Sequence, residues 1–301
     1  MISLVIETWN IDGHAASLRR LLQTLRPQLV GVEVIITHVG LDAATRASLA
    51  AELAITWLPL PRDASYYDHK NRGFDATTGD IVAFIDGDCS PDADWLEHLV
   101  APFARGARVV AGATSYPGAL APIANAIDFP YFDGKTAGRR SIADAPATVR
   151  NFFANNVAFE RAVFALRRYP AIEPMFHGQC QVLALRLLQD GIPIAFAPDA
   201  RLTHAWPDDV RAWLEARLLR GADTVSLLPY VLAHYTPRAA PAIARLGPLP
   251  TLALIAGRGI ASSWQVVRRG PLMRGLGFVA IATLLDSIGA ATSRWIYGVL
   301  T

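Results

Sequence analysis

Two residue types are scarce in this chain of 301 residues. Lysine occurs only at Lys70 and Lys135, against 28 basic residues in all, and cysteine only at Cys89 and Cys180. Two cysteines give neither a disulfide framework nor a zinc-ligand spacing, so a reducing compartment is expected. No charged start with a long apolar core opens the chain. Met1-Ile2-Ser3 runs straight into a strand, so no secretory signal is expected. Acids are missing from the last quarter: residues 224–301 carry seven arginines and one acid, Asp286. No basic helix or aromatic ladder accompanies that charge, which argues against nucleic acid as a partner. No internal repeat is present. The chain is also oily, at 52% apolar residues, and an apolar, arginine-rich tail suits an anionic membrane surface or a helical subdomain packed on the core.

What is present in the first 115 residues is alternation. Short apolar runs at Ile2–Glu7, Val32–Ile36, Ala54–Leu58, Ile81–Ile85 and Arg108–Ala113 read as strands. Helical periods lie between them, over Ala15–Leu25, Ala43–Leu53 with Asp42 as its cap, Tyr66–Thr77, and Asp94–Ala104 with Asp92 as its cap. Continuous apolar strands separated by helices predict an α/β fold, a Rossmann-like, mostly parallel sheet flanked by helices. From Tyr116 to Arg150 the period is lost, and a long loop is expected. Further on, a short strand in "NFFANNVAFER", a helix over Arg161–Arg168 and another over Cys180–Asp190 are expected, the last ended by Gly191. Strands at Ile194–Ala197 and Arg201–His204 and a helix from Asp209 to Leu228 follow. We therefore expect a domain over 1–225 and an apolar, basic helical tail over 226–301. The tail run from Leu276 is long enough to span a bilayer, but Asp286 would be costly in lipid, so a surface-lying or hairpin-inserted helix is expected.

The chemistry is concentrated in "DIVAFIDGDCSPDADW", residues 80–95. In open α/β sheets ligands bind beyond the C-terminal strand ends, where Asp86 and Asp88 fall. Alternate residues of an extended stretch face one side, and Gly87 between them lets a backbone approach a ligand closely. Two convergent hard oxygen donors suit Mg²⁺ or Mn²⁺ shared with a diphosphate. The plainer use of such a pair is an acidic turn that only solvates the strand end.

The surrounding blocks resemble the inverting family 2 nucleotide-sugar glycosyltransferases of GT-A fold. "NRGFDATTGDIVAFIDGDCSPDADWL" is similar to that family's aspartate-x-aspartate block, "SLVIETWN" to its opening strand, "NFFANNVAFERAVF" to its acceptor-side block and "GQCQVLALRLLQDGIPIAFAPDARLTH" to its last catalytic block. The resemblance covers about three quarters of the chain. It implies a nucleoside pocket lined by Thr8 and Asn10 with Glu7 on its floor. It implies nucleotide or sugar contacts from Asn71, Arg72 and Asp75, with Asp75 alternatively serving only its helix. Asp86 would meet ribose or metal, Asp88 would ligate the metal beside the diphosphate, and His204 would complete the metal site. Asn155 and Asn156 would hold acceptor or donor hydroxyls, or else only close a turn.

Two places depart from the family pattern. Thr37 and His38 stand where an acid usually reads the base, which leaves a UDP-sugar as the default donor only. The usual Glu-Asp pair, whose aspartate is the general base, is here Gln179-Cys180. Candidates for the base are a Cys180 thiolate at a helix N-terminus, His177, Glu173, and a carboxylate such as Asp128 or Asp133. The resemblance implies transfer of a sugar from a nucleotide-diphosphate donor to a carbohydrate or lipid-linked acceptor, with inversion. The tail places this at the cytoplasmic face of an inner membrane, in envelope polysaccharide or glycolipid synthesis. A catalytically silent nucleotide-sugar binder is the alternative that Gln179-Cys180 raises. A nucleotidyltransferase fits less well, because "TWNIDGHAASLRR" lacks the glycine- and lysine-rich phosphate loop that chemistry usually needs.

Overall fold

The computed structural model describes residues 1–9, 15–50, 53–118, 121–128, 147–205, 209–269 and 272–300. In chain order the elements are β1 (Ile2–Glu7), α1 (Ala16–Leu25), β2 (Val32–His38), α2 (Ala43–Ala50), β3 (Ile55–Pro59), α3 (Tyr66–Asp75), β4 (Ile81–Asp86), β5 (Ser90–Pro91), α4 (Trp95–Val100), β6 (Val109–Ser115), α5 (Ala121–Asp128), β7 (Thr148–Val149), β8 (Val157–Glu160), α6 (Arg161–Leu166), α7 (Gln179–Gln189), β9 (Ile194–Thr203), α8 (Val210–Tyr235), α9 (Ala240–Ala244), α10 (Leu249–Arg269), α11 (Leu272–Ala291) and α12 (Ser293–Leu300). They pack as two units. The first takes in Met1–Thr114, the stretch ending at Pro170, and Arg186–His204. The second holds α5, Ala171–Leu185 and the described residues after His204.

The first unit contains the sheet, in the order β3-β2-β1-β4-β8-β6-β9-β5, with β7 on β9. The run β3-β2-β1-β4 is parallel, whereas β8 is antiparallel to both β4 and β6. The parallel strands read as unbroken apolar runs because both faces are covered. Leu4, Ile6, Ala83 and Ile85 pack with Leu18, Leu21, Leu25, Trp95 and Leu99 on one face. On the other, Phe84 meets Phe159, Phe164 and Tyr169 with ring centroids 4.9–6.0 Å apart.

Helix α3 matters most for the strand ends. Its N-terminus is a capping box: Ser65 Oγ accepts from the Asp68 N–H, and the Asp68 carboxylate accepts from the Ser65 N–H. Tyr66, Tyr67, His69, Lys70, Gly73 and Phe74 form its buried face. Gly73 lies against β1 so closely that a Cβ there would stand 2.4 Å from Val5 Cγ1. Ser65→Ala should therefore cost about 1 kcal/mol in urea unfolding, because it leaves the Asp68 N–H without its acceptor and removes the hydroxyl's own bond to the Asp68 carboxylate. A loss below a few tenths would show that the box does not anchor this helix.

Several expectations need correction. Asp42 does cap α2, accepting from Thr45 N at 2.8 Å. Asp92 does not cap α4; Asp94 is the N-cap, and Asp92 gives only its carbonyl to Trp95 N. The stretch read as a loop from 116 contains α5, whose apolar residues Ile123, Ala126 and Ile127 pack with Val266, Val279 and Ala282. The two strands read at 194–204 are one, β9. Its Ile194–Ala195 end pairs with β7 and its Leu202–Thr203 end with β5, and β6 is its other neighbour in the sheet. Helix α8 runs through Pro229 to Tyr235, where the sequence suggested a stop.

Candidate active site

The parallel register sets the site. Glu7 is paired with Thr37 on one side and with Asp86 on the other, so three strands end in one row. The chain then turns tightly: Gly87 N donates to the Glu7 carbonyl at 2.8 Å and Cys89 N to the Asp86 carbonyl at 3.1 Å. The short β5 that follows pairs antiparallel with the end of β9, Ser90 opposite Thr203. That pairing carries His204, the next residue, to the turn. Its Nε2 lies 3.6 Å from Asp86 Oδ2 and 3.5 Å from Asp88 Oδ1. Asp86, Asp88, Cys89 and His204 each offer a donor atom, and these atoms all lie within 4.8 Å of one another.

This cluster fits a hard divalent cation. Asp88 Oδ1 is buried with no hydrogen-bond partner among the described residues. With metal–oxygen bonds of about 2.1 Å, neighbouring ligands stand roughly 3 Å apart, close to the separations seen here. Two carboxylates and an imidazole suit Mn²⁺ or Mg²⁺. Cys89 is a poor ligand, because burial, followed by the Asp86 charge, pushes its thiol well up and keeps it protonated. Burial also raises the Asp88 carboxyl, with His204 opposing and Asp86 adding to the shift.

Behind the motif stands a side chain the sequence reading passed over. Lys70 is fully buried, and its Nζ lies 2.6 Å from Asp86 Oδ1 and 4.7 Å from the centre of the Tyr66 ring. Tyr66 OH reaches both Asp86 oxygens, at 3.1 and 3.0 Å. Burial alone would raise the Asp86 carboxyl, but the Lys70 ammonium, helped by His204, overrides it and holds Asp86 well below the usual range. Asp86 is thus fixed as an anion that gives Oδ1 to Lys70 and keeps Oδ2 toward His204. Glu7 goes the other way: burial, then the Asp86 charge, pushes it well up, and it accepts from Trp9 N at 2.8 Å.

At the end of β2, Thr8 Oγ1 donates to the Thr37 carbonyl at 2.9 Å, and Thr37 Oγ1 lies 3.0 Å from His69 Nδ1. Burial, then Lys70, lowers His69 to about 4; burial, then Arg46, lowers His38. Thr37 and the neutral His38 thus stand where the family carries an acid, with a second neutral imidazole, His69, against Thr37. Asn10 and Asp133 lie outside the described residues. Arg72 is exposed on α3. Asn71 Nδ2 donates to the Tyr169 carbonyl at 2.9 Å, and Asp75 pairs with Arg168 at 2.6 Å. Asn155 Oδ1 accepts from Thr114 at 3.2 Å. The Asn156 amide is held between Trp95 Nε1 at 2.9 Å and the Ala200 carbonyl at 3.0 Å.

The other predicted residues belong to the second unit, around the start of α7. His177 is exposed, and the backbone N–H groups of Phe176 and His177 both donate to Asp223 of α8 at 2.7 Å. Gln179 Nε2 donates to the Met175 carbonyl at 2.9 Å, and its buried Oε1 has no partner among the described residues. Cys180 is buried in the first turn of α7 and forms no disulfide. Asp128 is buried between Arg217, at 2.5 Å, and Arg220; these arginines outweigh its burial and hold its carboxyl low, which makes it a weak base.

A family model described as Glycosyl transferase family 2 matches residues 3–170, a span that includes the strand-end row and the Asp86-Gly87-Asp88 turn. The chain is 25% identical over 279 residues to the pre-mycofactocin glycosyltransferase of Mycobacterium tuberculosis, covering 91% of this chain and 54% of that protein. It therefore spans about half the length of that relative. It is 30% identical over 96 residues to the glucosyl-dolichyl phosphate glucuronosyltransferase of Haloferax volcanii, covering 32% of this chain and 31% of that protein. Among solved structures, the mannosyltransferase PcManGT from Pyrobaculum calidifontis, in complex with GDP-Man and Mn²⁺, superposes with TM-score 0.64 at 16% identity, over 98% of this chain and 87% of that one. GalNAc-T7 with UDP, GalNAc and Mn²⁺ does so with TM-score 0.52 at 14% identity, over 79% and 52%.

Proposed function

The chain belongs to glycosyl transferase family 2, and on that premise we propose that it transfers a sugar from a nucleotide-diphosphate donor to an acceptor hydroxyl, with inversion at the anomeric carbon. The observation that carries this reading is the buried Asp88 Oδ1, without a hydrogen bond among the described residues, set beside Asp86 Oδ2 and His204 Nε2. Those three side chains would hold Mn²⁺ or Mg²⁺. When bound, the cation supplies charge neutralisation for the departing diphosphate.

The chain's own residues do the rest. Lys70 and Tyr66 keep Asp86 ionised and fixed in orientation, so that the site does not reorganise as charge develops. Glu7, whose carboxyl is pushed up by burial and then by the Asp86 charge, is disfavoured as a third negative charge beside the diphosphate. Thr8 and Asn10 line the nucleoside pocket, with His38 and His69 near its base-reading end; a UDP-sugar is the default donor. Asn71, Arg72, Asp75 and Gly87 serve the nucleotide-sugar and Asn155 the sugar or acceptor side. Asn156, fully buried with its amide held by Trp95 and Ala200, takes the other role open to it and only closes the turn. The acceptor is a carbohydrate or a lipid-linked sugar met at the cytoplasmic face of an inner membrane with anionic lipid, in envelope polysaccharide or glycolipid synthesis. Among the described residues one helix, over Arg274–Ala291, is long and apolar enough to cross a bilayer, and residues 226–301 carry the membrane contact.

For the general base we favour His177 over Cys180. An exposed imidazole takes a hydroxyl proton near neutral pH, whereas a buried thiol in a leucine-rich helix does not readily ionise. His177→Ala should lower kcat about 10²-fold and remove the acidic limb of its pH profile. Cys180→Ala should stay within a few-fold of wild type. Unchanged kcat in His177→Ala would move the role elsewhere. The reaction itself is tested by incubating the protein with a panel of nucleotide-sugars and acceptors, with Mn²⁺ or with a chelator. Metal-dependent release of nucleoside diphosphate is expected. Donor binding without turnover across the panel would favour the silent binder that Gln179 raises.

A further inference from the structure

In the second unit, helices α10 and α11 pack side by side and form an open groove of about 1020 Å³, lined by Ile260, Trp264, Val267, Val279 and Leu284 among others. Exposed apolar side chains continue from the groove to its outer rim. Ile260, 72% exposed, Trp264, 58%, and Val267 of α10 and Leu284, 60%, of α11 line it. Ile281 and Ile288 of α11 extend the stripe outside it, while the Phe278 ring meets Trp213 of α8 at 6.0 Å. Only 33% of the window Arg274–Ala291 is buried, so α11 is not the core helix of a soluble fold. A continuous apolar face of this extent is uncommon on a monomer in water.

The opposite side of α11 is clamped to α8. Arg217 holds both oxygens of Asp286, at 2.9 and 2.5 Å. The two backbones touch: a Cβ on Gly221 would stand 2.0 Å from the Asp286 carbonyl oxygen, and one on Gly289 2.0 Å from that of Leu218. Helix α11 therefore cannot enter a bilayer alone. If it crossed, α8 would follow with Glu215, Arg217, Arg220 and Asp223, at a prohibitive cost in hydrocarbon.

Charge selects the occupant of the outer face. The only acid after Asp223 is Asp286, and it is buried against Arg217. Arg268, Arg274 and Arg294 are exposed, and the Arg268 guanidinium stacks 4.4 Å over the Trp264 ring. An apolar stripe edged by a tryptophan and by arginines without compensating acids matches the boundary between acyl chains and anionic headgroups.

We infer that the α10–α11 face lies in the plane of an anionic bilayer, its outer stripe among the acyl chains, and that α11 does not cross the membrane. This rests on the membrane contact proposed above for residues 226–301 and fixes its geometry. The test uses the full chain and sealed vesicles of phosphatidylcholine with and without phosphatidylglycerol. Wild type should float with the anionic vesicles. Ile281→Asp/Leu284→Asp, altering two exposed positions, should abolish flotation while leaving the thermal melt unchanged. Leu166→Asp, at an exposed apolar position of the first unit, should float normally. Arg268→Gln and Arg274→Gln should each weaken binding about five-fold, only on anionic vesicles. Arg274→Cys and Thr292→Cys, near the two ends of α11, should both react with an impermeant maleimide outside the vesicles, above the wild-type background. Absence of flotation, including the case where the face is covered by a second copy and the protein is a stable dimer, overturns the membrane reading and this inference together. Flotation with one of the two cysteines protected overturns only the in-plane geometry. Flotation that survives the Ile281→Asp/Leu284→Asp change overturns the choice of face.

Discussion

Asp88→Ala is expected to lower metal-supported sugar transfer about 10³-fold, with little change in folding stability. The reasoning is local. Asp88 is less buried than Asp86, belongs to a turn rather than a strand, and its Oδ1 makes no hydrogen bond among the described residues. Removing it breaks no internal bond of that atom and relieves a carboxyl whose charged form burial disfavours. The loss should therefore fall on the cation and on the diphosphate it faces. Two measurements separate this from a structural defect. Titration with Mn²⁺ by calorimetry should show binding lost or strongly weakened in the variant, and its melting temperature in chelator should match wild type. If turnover and Mn²⁺ affinity are both unchanged, Asp88 is no ligand and the strand-end cluster is only a solvated turn.

The way the site assembles explains what a reader of the sequence sees. Asp86, Gly87 and Asp88 stand out because an unbroken apolar strand, Ile81–Ile85, ends on them. The row they share with Glu7 and Thr37 follows from parallel register, which the apolar runs of β1, β2 and β4 already imply. His204 could be suspected only from family likeness, since its arrival depends on the two-residue pairing of β5 with β9, too short to leave a pattern. Lys70 was legible and passed over. Tyr66 and Lys70 are four residues apart, on the helical face that also holds Gly73 and Phe74, so the phase of α3 already points the lysine toward the sheet. Helix α5 was hidden for another reason. Its eight residues carry Pro122 and little intrinsic signal, and tertiary partners on α10 and α11 decide its form. The register of the Gln179-Cys180 departure was plain, but the atoms that now matter there, the Gln179 Oε1 without a partner among the described residues and the Asp223 carboxylate that accepts from the His177 N–H, depend on tertiary contacts.

Lys70→Met is expected to destabilise the protein by about 3–5 kcal/mol at neutral pH, because it strands the Asp86 carboxylate in a buried place. The partners left to Asp86 are the Tyr66 hydroxyl and His204, and neither supplies a fixed positive charge. The pH dependence follows from the sign of the shift. In wild type the Asp86 carboxyl is held below its unfolded value, so its contribution is present above about pH 4 and is lost only as the pH falls through the depressed folded value. Without Lys70, burial and the neighbouring Asp88 would instead raise it. A raised carboxyl stabilises the fold at low pH and loses that contribution as the pH rises through its folded value. The stability gap between wild type and variant should therefore be largest near pH 7 and shrink on acidification toward pH 5. Denaturant midpoints at the two pH values, taken in chelator, read this directly. The double variant Lys70→Met/Asp86→Asn removes both charges, and its loss should fall well below the sum of the single changes. A gap that is the same at both pH values, or a double variant whose loss equals that sum, would show that Lys70 acts by filling space rather than by holding Asp86 ionised.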